Sequence, residues 1–380
     1  MEIELKKLGE ITTGNTPSKK DEKYWNSADI CFVKPDGIAD EGITLISDSS
    51  EYISENARGK ARVVSKDAVF VTCIGSIGKV GIADYGDYAF NQQINVIEPN
   101  EKVLPRYLAY NLLYSKPRLV AIANAPVVPI INKTQFGEFI VNIEEDRTKQ
   151  AEIISVLDKL TGIIDSRKKE LESFDELIKA RFVEMFGDIK DYCEVGYYIK
   201  SLTAGKSLAG EAECENKVLK TGAASFDYFD ATQVKNLPLD YEPQAEHLVE
   251  AGDIIISRMN TAELTGAAAY VWDVQENVYL PDRLWKANLN EECNPIFVWQ
   301  MLIQPSTKEQ IRRECSGTSG SMKNISKPGM LAIKVKRVPI DLQNQFSEFV
   351  KQVDKSKVAV QKALNEARLL FDSLMQEYFG

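Results

Sequence analysis

Apolar residues recur along this chain with two different periods, and the two alternate. From Gln150 to Gly187 they step by fours and threes through Ile153, Leu157, Leu160, Ile164, Leu171, Phe174, Ile178 and Met185. From Gln343 to Gly380 the stepping returns at Phe346, Val350, Val353, Val360, Leu364, Ala367, Phe371, Leu374 and Tyr378. A 3.5-residue repeat held for about five heptads predicts a long helix with a coiled-coil seam. Each 38-residue stretch would be roughly 57 Å long at 1.5 Å per residue. The seams are interrupted. Arg167 and Arg181 stand where the second stretch has Val360 and Leu374, and Lys357 faces Ile164 the other way round. Such residues either fix register at a cost in stability or carry their charges out to water on long stems.

Outside these stretches the apolar runs are short and bounded by Gly, Pro and Asp, the pattern of strands. Here too the chain is written twice. The helical stretches align without a gap at a constant offset of 193, with seven of 38 positions identical, among them the closing Phe186-Gly187 and Phe379-Gly380. Upstream, Gly14 precedes a polar loop as Gly205 does. Lys66-Asp67-Ala68-Val69-Phe70 parallels Gly252-Asp253-Ile254-Ile255-Ile256, an acidic turn feeding an apolar strand. Lys79-Val80-Gly81-Ile82-Ala83 parallels Leu264-Thr265-Gly266-Ala267-Ala268, and Ile131-Asn132-Lys133 parallels Ile325-Ser326-Lys327. Pro105-Arg106-Tyr107-Leu108 and Pro295-Ile296-Phe297-Val298 each open a short helical pattern, with Pro early as the first turn allows.

The expected fold is mixed, α+β or α/β. Two repeated globular domains, 1–145 and 188–338, are each followed by a long helix, 146–187 and 339–380. Each helix leaves its domain from the same place, so pseudo-twofold symmetry makes the pair an antiparallel coiled coil. The length of 380 residues agrees, because single cores usually stop growing at roughly 250–300.

Composition removes several kinds of chemistry. Six cysteines lie far apart, with no Cys-x-x-Cys, and read as free buried thiols rather than zinc ligands. A single histidine, His247, stands in a polar stretch that reads as surface, which leaves little for Ser-His or Cys-His catalysis. No Pro-Pro dipeptide occurs, so the base-clamping motif of an adenine methyltransferase is missing. Gly205-Lys206-Ser207 lacks the first glycine of a phosphate loop, because position 200 is Lys. Gly75, Gly78 and Gly81 lack dinucleotide-binding spacing and read as a strand turn. No apolar run approaches the ~18–20 residues of a membrane span. Residues Met1 to Lys7 do not look like a secretory signal, so a cytoplasmic protein without membrane contact is expected.

The net charge of −10 is regional. Residues 188–310 hold 10 basic and 20 acidic side chains, whereas 311–380 hold 12 and 7. An acidic total argues against a nucleic-acid binder, but this distribution leaves room for a neutral or basic face.

The layout and its motifs resemble the specificity subunit of type I restriction–modification systems, over essentially the whole chain. The carriers in the first domain are Thr13-Gly14-Asn15-Thr16-Pro17-Ser18-Lys19, Tyr24-Trp25 and Ile30-Cys31-Phe32-Val33-Lys34-Pro35-Asp36. The turn from Cys73 to Gly81 and Asn91-Gln92-Gln93-Ile94 complete them. In the second they are Gly252 to Asn260 and Leu280-Pro281-Asp282-Arg283-Leu284-Trp285, with Gln150 and Gln343 opening the helices. The resemblance implies a non-catalytic reader of double-stranded DNA, each globular domain being a target recognition domain for one half of a bipartite site. The helices would set the spacing and dock two adenine-N6 methyltransferase (modification) subunits, with translocase–nuclease (restriction) subunits joining for cleavage. This chain would hold no cofactor, and S-adenosylmethionine and ATP/Mg would be bound by the partners.

Candidate DNA contacts follow from residue type. Thr16, Ser18, Lys19, Lys20, Arg58, Lys60 and Lys79 suit phosphates, as do Ser76, Lys206 and Ser207. Asn91, Gln92 and Gln93 suit adenine edges, and Arg258, Asn260 and Arg283 suit guanine or adenine edges. Thr261, Lys286 and Lys323 complete the set. No metal site is expected. Because affinity scales with neutralised phosphates, so acidic a chain is expected to bind DNA weakly until its partners close around the duplex. The competing reading is a coiled-coil scaffold whose globular domains bind protein.

Overall fold

The computed structural model describes residues 1–123, 128–316 and 322–380. It contains two 40-residue helices, α4 (Arg147–Phe186) and α8 (Ile340–Phe379). The chain divides into two compact units, Met1–Glu170 with Val360–Gly380, and Leu171–Ala359. Each unit therefore contains one globular module and a part of both long helices.

The first module runs β1 (Glu2–Glu4), β2 (Gly9–Thr13), β3 (Ile30–Val33), β4 (Ile43–Ile46), β5 (Tyr52–Ile53) and β6 (Val63–Ser65). It continues with β7 (Val69–Thr72), β8 (Val80–Ala83), β9 (Asp87–Phe90), β10 (Ile94–Pro99), α1 (Pro105–Tyr114), α2 (Lys116–Ile122), α3 (Lys133–Glu138) and β11 (Ile140–Asn142). One sheet has the order β2-β10-β7-β8-β4, a second β5-β3-β9-β6, and β1 pairs with β11. All four residues of β7 and of β8 are buried, because the five-stranded sheet is covered on both faces. Val69, Val71, Val80 and Ile82 pack with α1, whereas Phe70, Ala83 and Val96 pack with residues of the second sheet. Alternate side chains of a strand point to opposite faces, so the central strands are apolar throughout.

The second module repeats this plan with one strand fewer in each of its two main sheets. It runs β12 (Tyr192–Glu194), β13 (Ile199–Thr203), β14 (Lys217–Leu219), β15 (Val234–Asn236), β16 (Ile254–Ser257), β17 (Met259–Asn260), β18 (Ala268–Tyr270) and β19 (Val278–Tyr279). Then come β20 (Leu284–Leu289), α5 (Pro295–Leu302), α6 (Pro305–Glu314), β21 (Lys323–Asn324), α7 (Lys327–Leu331) and β22 (Lys334–Lys336). The order β13-β20-β16-β18 matches four strands of the first sheet, and β15-β14-β19 matches β5-β3-β9.

The hydrogen bonds correct the sequence alignment of the repeats. Asp67 N donates to Ala83 O and Gly252 N to Val271 O, and both Asp67 and Gly252 have positive φ, so they are equivalent. The acidic residues of the two turns are thus one position out of step. Likewise Gly78 N donates to Thr72 O and Gly266 N to Ser257 O, both glycines at positive φ near 80°. Gly78, not Gly81, is the counterpart of Gly266, since the tight turn needs a residue free of a Cβ clash.

In the first unit, Leu157, Met375 and Phe379 enter the core around α1, with Ile153, Phe371 and Leu374 packed against it. In the second, Ile178, Phe182, Phe186, Phe346, Val350 and Val353 form part of the core around α5. The start of α4 thus meets the end of α8 in one unit, and the end of α4 meets the start of α8 in the other. In both units the helices run antiparallel. Of the seam positions, Leu157, Leu160, Ile178, Phe346, Val350, Val353, Val360 and Leu364 are buried, and Ile153, Ile164, Leu171, Phe174, Phe371 and Leu374 are half-buried. Near each helix end the buried stripe leaves the heptad for Phe182 and Phe186, and for their counterparts Met375 and Phe379. A straight helix of 3.6 residues per turn drifts about 20° per heptad, and the last turns face a module core rather than another helix.

The interrupting charges lie along the flanks. Arg167 pairs with Glu170 at 2.6 Å, Lys357 with Asp175 at 2.7 Å, and Arg181 with Glu184 at 2.7 Å while its guanidinium lies over the Phe349 ring. His247 is buried rather than on the surface, because its carbonyl accepts from Leu280 N and holds this segment to the end of β19. Of the free thiols, only Cys73 is fully buried, and burial pushes it up to about 12.

Both ends of each long helix are anchored by equivalent residues. The Gln150 carboxamide accepts from Leu104 N at 2.8 Å and donates to the carbonyls of Lys102 and Glu144 at 3.0 and 2.7 Å. Gln343 accepts from Asn294 N at 3.0 Å and donates to Val338 O at 2.8 Å. At the far ends, the Phe186 ring stands 5.3 Å edge-on to Phe297, and Phe379 stands 5.1 Å from Tyr107. A buried polar group left unpaired costs about 1–3 kcal/mol. Gln343→Ala, which orphans one donor and one acceptor, is therefore expected to lower stability by about 2–4 kcal/mol in urea unfolding, with an unchanged m-value. Phe186→Ala is expected to cost about 3–5 kcal/mol by the same measurement.

Candidate nucleic-acid interface

In the first module five segments meet on one rim. The loop after β2 turns at Gly14, where a Cβ would run into the carbonyl oxygens of Phe90 and Asn91. That close approach lets Asn15 N donate to Phe90 O at 3.0 Å and Thr16 Oγ1 donate to Gln92 Oε1 at 3.0 Å. Asn15 also binds sideways, its Nδ2 donating to Lys60 O at 2.7 Å and its Oδ1 accepting from Arg62 N at 2.8 Å. The turn after β7 joins through Cys73 N to Gln93 O at 2.7 Å, and Gly75 N to Pro129 O at 3.0 Å.

The second module builds the same rim with different side chains. A Cβ at Gly205 would run into Leu280 O, and Ser207 Oγ donates to the Asp282 carboxylate. Arg258 N donates to Arg283 O at 3.1 Å as Cys73 does to Gln93. Ile325 N donates to Arg258 O at 3.1 Å as Ile131 does to Cys73 O at 2.9 Å. The strand pair β17–β21 sets Asn260 opposite Lys323. No helix follows Gly205-Lys206-Ser207, which lie in an open loop after β13.

The candidate residues separate by what their side chains already hold. Thr16, Ser18, Lys20, Lys60, Ser76, Gln92, Lys206, Ser207, Thr261 and Arg283 are exposed on or beside these rims. Lys19 is shared between Glu51 at 3.3 Å and the Trp25 ring at 5.1 Å. Arg58 is held by Glu55 and by Asp87. The Ser65 hydroxyl and then Arg58 keep the Asp87 carboxyl below its ordinary range. Gln93 accepts from Asn91 at 2.8 Å, and Asn91 is buried. Arg258 lies over the Trp285 ring and reaches Asp282 O, while Asn260 is bonded to Ser225 Oγ at 3.2 Å. Lys323 is half-buried in β21.

Two lysines are turned inward, against the expectation that they meet phosphate. Lys79 pairs with Asp40 at 2.9 Å, its side chain only 12% exposed. Lys286 donates to Leu248 O at 2.6 Å and lies 3.6 Å from Asp253, whose carboxyl is raised by burial. Lys79 lies in the turn just before β8, where Asp40 and the Pro35 carbonyl take its ammonium, and Lys286 lies within β20. Sequence reading missed Asn15 and Arg62 in the rim, although Gly14-Asn15 before a Thr-Pro pair is itself a turn signal. Among the described residues no cluster of metal-ligating side chains occurs, and no helix is long and apolar enough to cross a membrane.

Residues 1–173 match the family model of the type I restriction modification DNA specificity domain. The first module belongs to that domain family. Across 193 residues, half of this chain, it is 27% identical to the MjaIX specificity subunit of Methanocaldococcus jannaschii, covering 44% of that protein. Across 355 residues it is 20% identical to the EcoKI specificity subunit of Escherichia coli, covering 86% of this chain and 76% of that one. The chain thus spans less than half of the first relative. The type I restriction–modification S subunit of M. genitalium has the same fold, with a TM-score of 0.59 at 15% identity, covering all of this chain and 96% of that one. A chain from a type I system structure concerned with complex assembly and conformational transition aligns with a TM-score of 0.59 at 13% identity. The specificity-domain fold thus extends over both modules and both long helices.

The division of side chains makes a prediction. Lys20→Gln and Lys60→Gln are each expected to weaken duplex binding and to lower the slope of log affinity against log salt by about 0.9. Lys79→Gln and Lys286→Gln are expected to leave that slope unchanged and to lower the unfolding midpoint instead. Salt-titrated fluorescence anisotropy and thermal melts separate the two classes.

Proposed function

We propose that this chain is the non-catalytic DNA-specificity subunit of a type I restriction–modification complex acting in the cytoplasm. Each module reads one half of a bipartite duplex target. The observation that carries the reading is the duplicated rim, where Thr16 to Gln92 and Ser207 to Asp282 close equivalent loops on equivalent glycines. The shared frame with different side chains suits two half-sites of different sequence, because base edges are distinguished by the side chains presented to them.

The long helices set the spacing and dock two adenine-N6 methyltransferase subunits, and restriction subunits join that assembly. Exposed Leu177 and its repeat counterpart Leu370, 47% and 50% accessible, support two like docking faces. S-adenosylmethionine and ATP/Mg belong to the partners, and this chain's part is to position them on DNA.

The test is methylome sequencing of a host carrying this chain with its methyltransferase partners, against a host lacking this chain alone. The expected outcome is an N6-methyladenine motif of two short half-sites split by a fixed gap. All subunits folded and assembled with no new motif would overturn the reading in favour of a protein-binding scaffold.

A further inference from the structure

At one equivalent position of the two rims the charge is reversed. In the first module β3 and β5 set Phe32 opposite Glu51, whose carboxylate takes Lys34 at 2.7 Å and Lys19 at 3.3 Å. Those two cations hold the Glu51 carboxyl below its ordinary range, Lys34 foremost. In the second module β14 and β15 set Val218 opposite Lys235. Val218 is the counterpart of Phe32, since their parallel partners Tyr279 and Ala89 each lie four residues before the equivalent Arg283 and Gln93. Lys220 is then the counterpart of Lys34, and Lys235 stands where the first module has Glu51. Arg283 likewise stands where the first module has Gln93.

Lys220, Lys235 and Arg283 line one open cleft of about 520 Å³ with Ser207, Thr221 and Asp282. Asp282 is its single acid, and that carboxylate already accepts from Ser207. None of the three cations makes an ion pair among the described residues. Three like charges gathered in the most acidic stretch of the chain are self-repelling. They also form a positive focus in a cleft whose one acid is already hydrogen-bonded, and a cleft lined mainly by one sign of charge concentrates the field on an anion.

We propose that Lys220, Lys235 and Arg283 form a phosphate clamp that seats one strand of duplex backbone on the second module. The first module has no such clamp, because Glu51 occupies its place. The inference rests on the DNA-reading role proposed above and adds to it a division of labour. The second module carries the larger share of sequence-independent grip despite its acidity. Thr221, in the same cleft, offers a hydroxyl donor to the same phosphate. Phosphate contacts position a protein without reading sequence, so the clamp sets affinity and leaves the recognised sequence unchanged.

The experiment uses the full chain assembled with its methyltransferase subunits and a labelled duplex, with affinity measured across a salt series. Lys235→Glu installs the carboxylate that the first module tolerates at this position, and is expected to lower affinity tenfold or more. The triple variant Lys220→Gln, Lys235→Gln, Arg283→Gln is expected to reduce the salt slope by about 2.7, about 0.9 for each lost contact. In the other direction, Glu51→Lys is expected to raise both affinity and slope. Thermal melts matching the parent show that the variants are folded. A triple variant with parental affinity and slope overturns the clamp. So does one that keeps the slope but changes the methylated half-site, which would make these residues base readers. If the parental assembly binds no duplex, the DNA-reading role itself fails.

Discussion

A buried glutamine at the entry of each long helix is the joint on which each unit depends. Gln150 and Gln343 are almost fully enclosed, and their carboxamides satisfy the backbone just before α1 and α5 and the turn that opens the helix itself. A carboxamide is suited to this because it donates and accepts at once. With those bonds made, the helix can leave its module in one direction only. Its apolar stripe is then committed to the module core for the first turns and to the other helix beyond.

The same economy of polar groups organises the rims. Side chains that hold the frame together are consumed by it: Asn91 by Gln93, Arg58 by Glu55 and Asp87, Asn260 by Ser225. Exposed donors such as Lys20, Lys60, Lys206 and Arg283 are what the frame leaves over for a ligand. Glycines at 14 and 205 make this division possible by letting one loop lie directly on the next backbone. An acidic chain can thus present local positive charge, because its carboxylates lie in other loops or are spent on pairing.

The two long helices were legible in sequence because they rest on periodicity, which a helix imposes locally, and their antiparallel sense followed from the duplication of the chain. The 3.5-residue stepping of Ile153 to Ile178 and of Phe346 to Leu374 needs no knowledge of neighbours. The motif series from Thr13-Gly14 to Asn91-Gln92-Gln93 pointed to the DNA specificity family, and the match of residues 1–173 bears that out.

Tertiary structure alone decided which polar residues stay exposed and which are turned inward. Lys79 and Lys286 carry the same composition signal as Lys20 and Lys60, and only their tertiary partners, Asp40 for the first and Leu248 O and Asp253 for the second, turn those two inward. The one-residue offset between Asp67 and Asp253 was also invisible, since it depends on which residue takes positive φ. So was the departure of Phe182, Phe186, Met375 and Phe379 from the heptad, because a helix cannot announce where its partner changes from helix to core. Sequence by itself determined the elements, their duplication and the family of the first module, all set by local periodicity and residue order. The burial of each polar side chain, the register of the repeats and the charge reversal between Glu51 and Lys235 came from strand pairing across long separations, which local pattern does not encode.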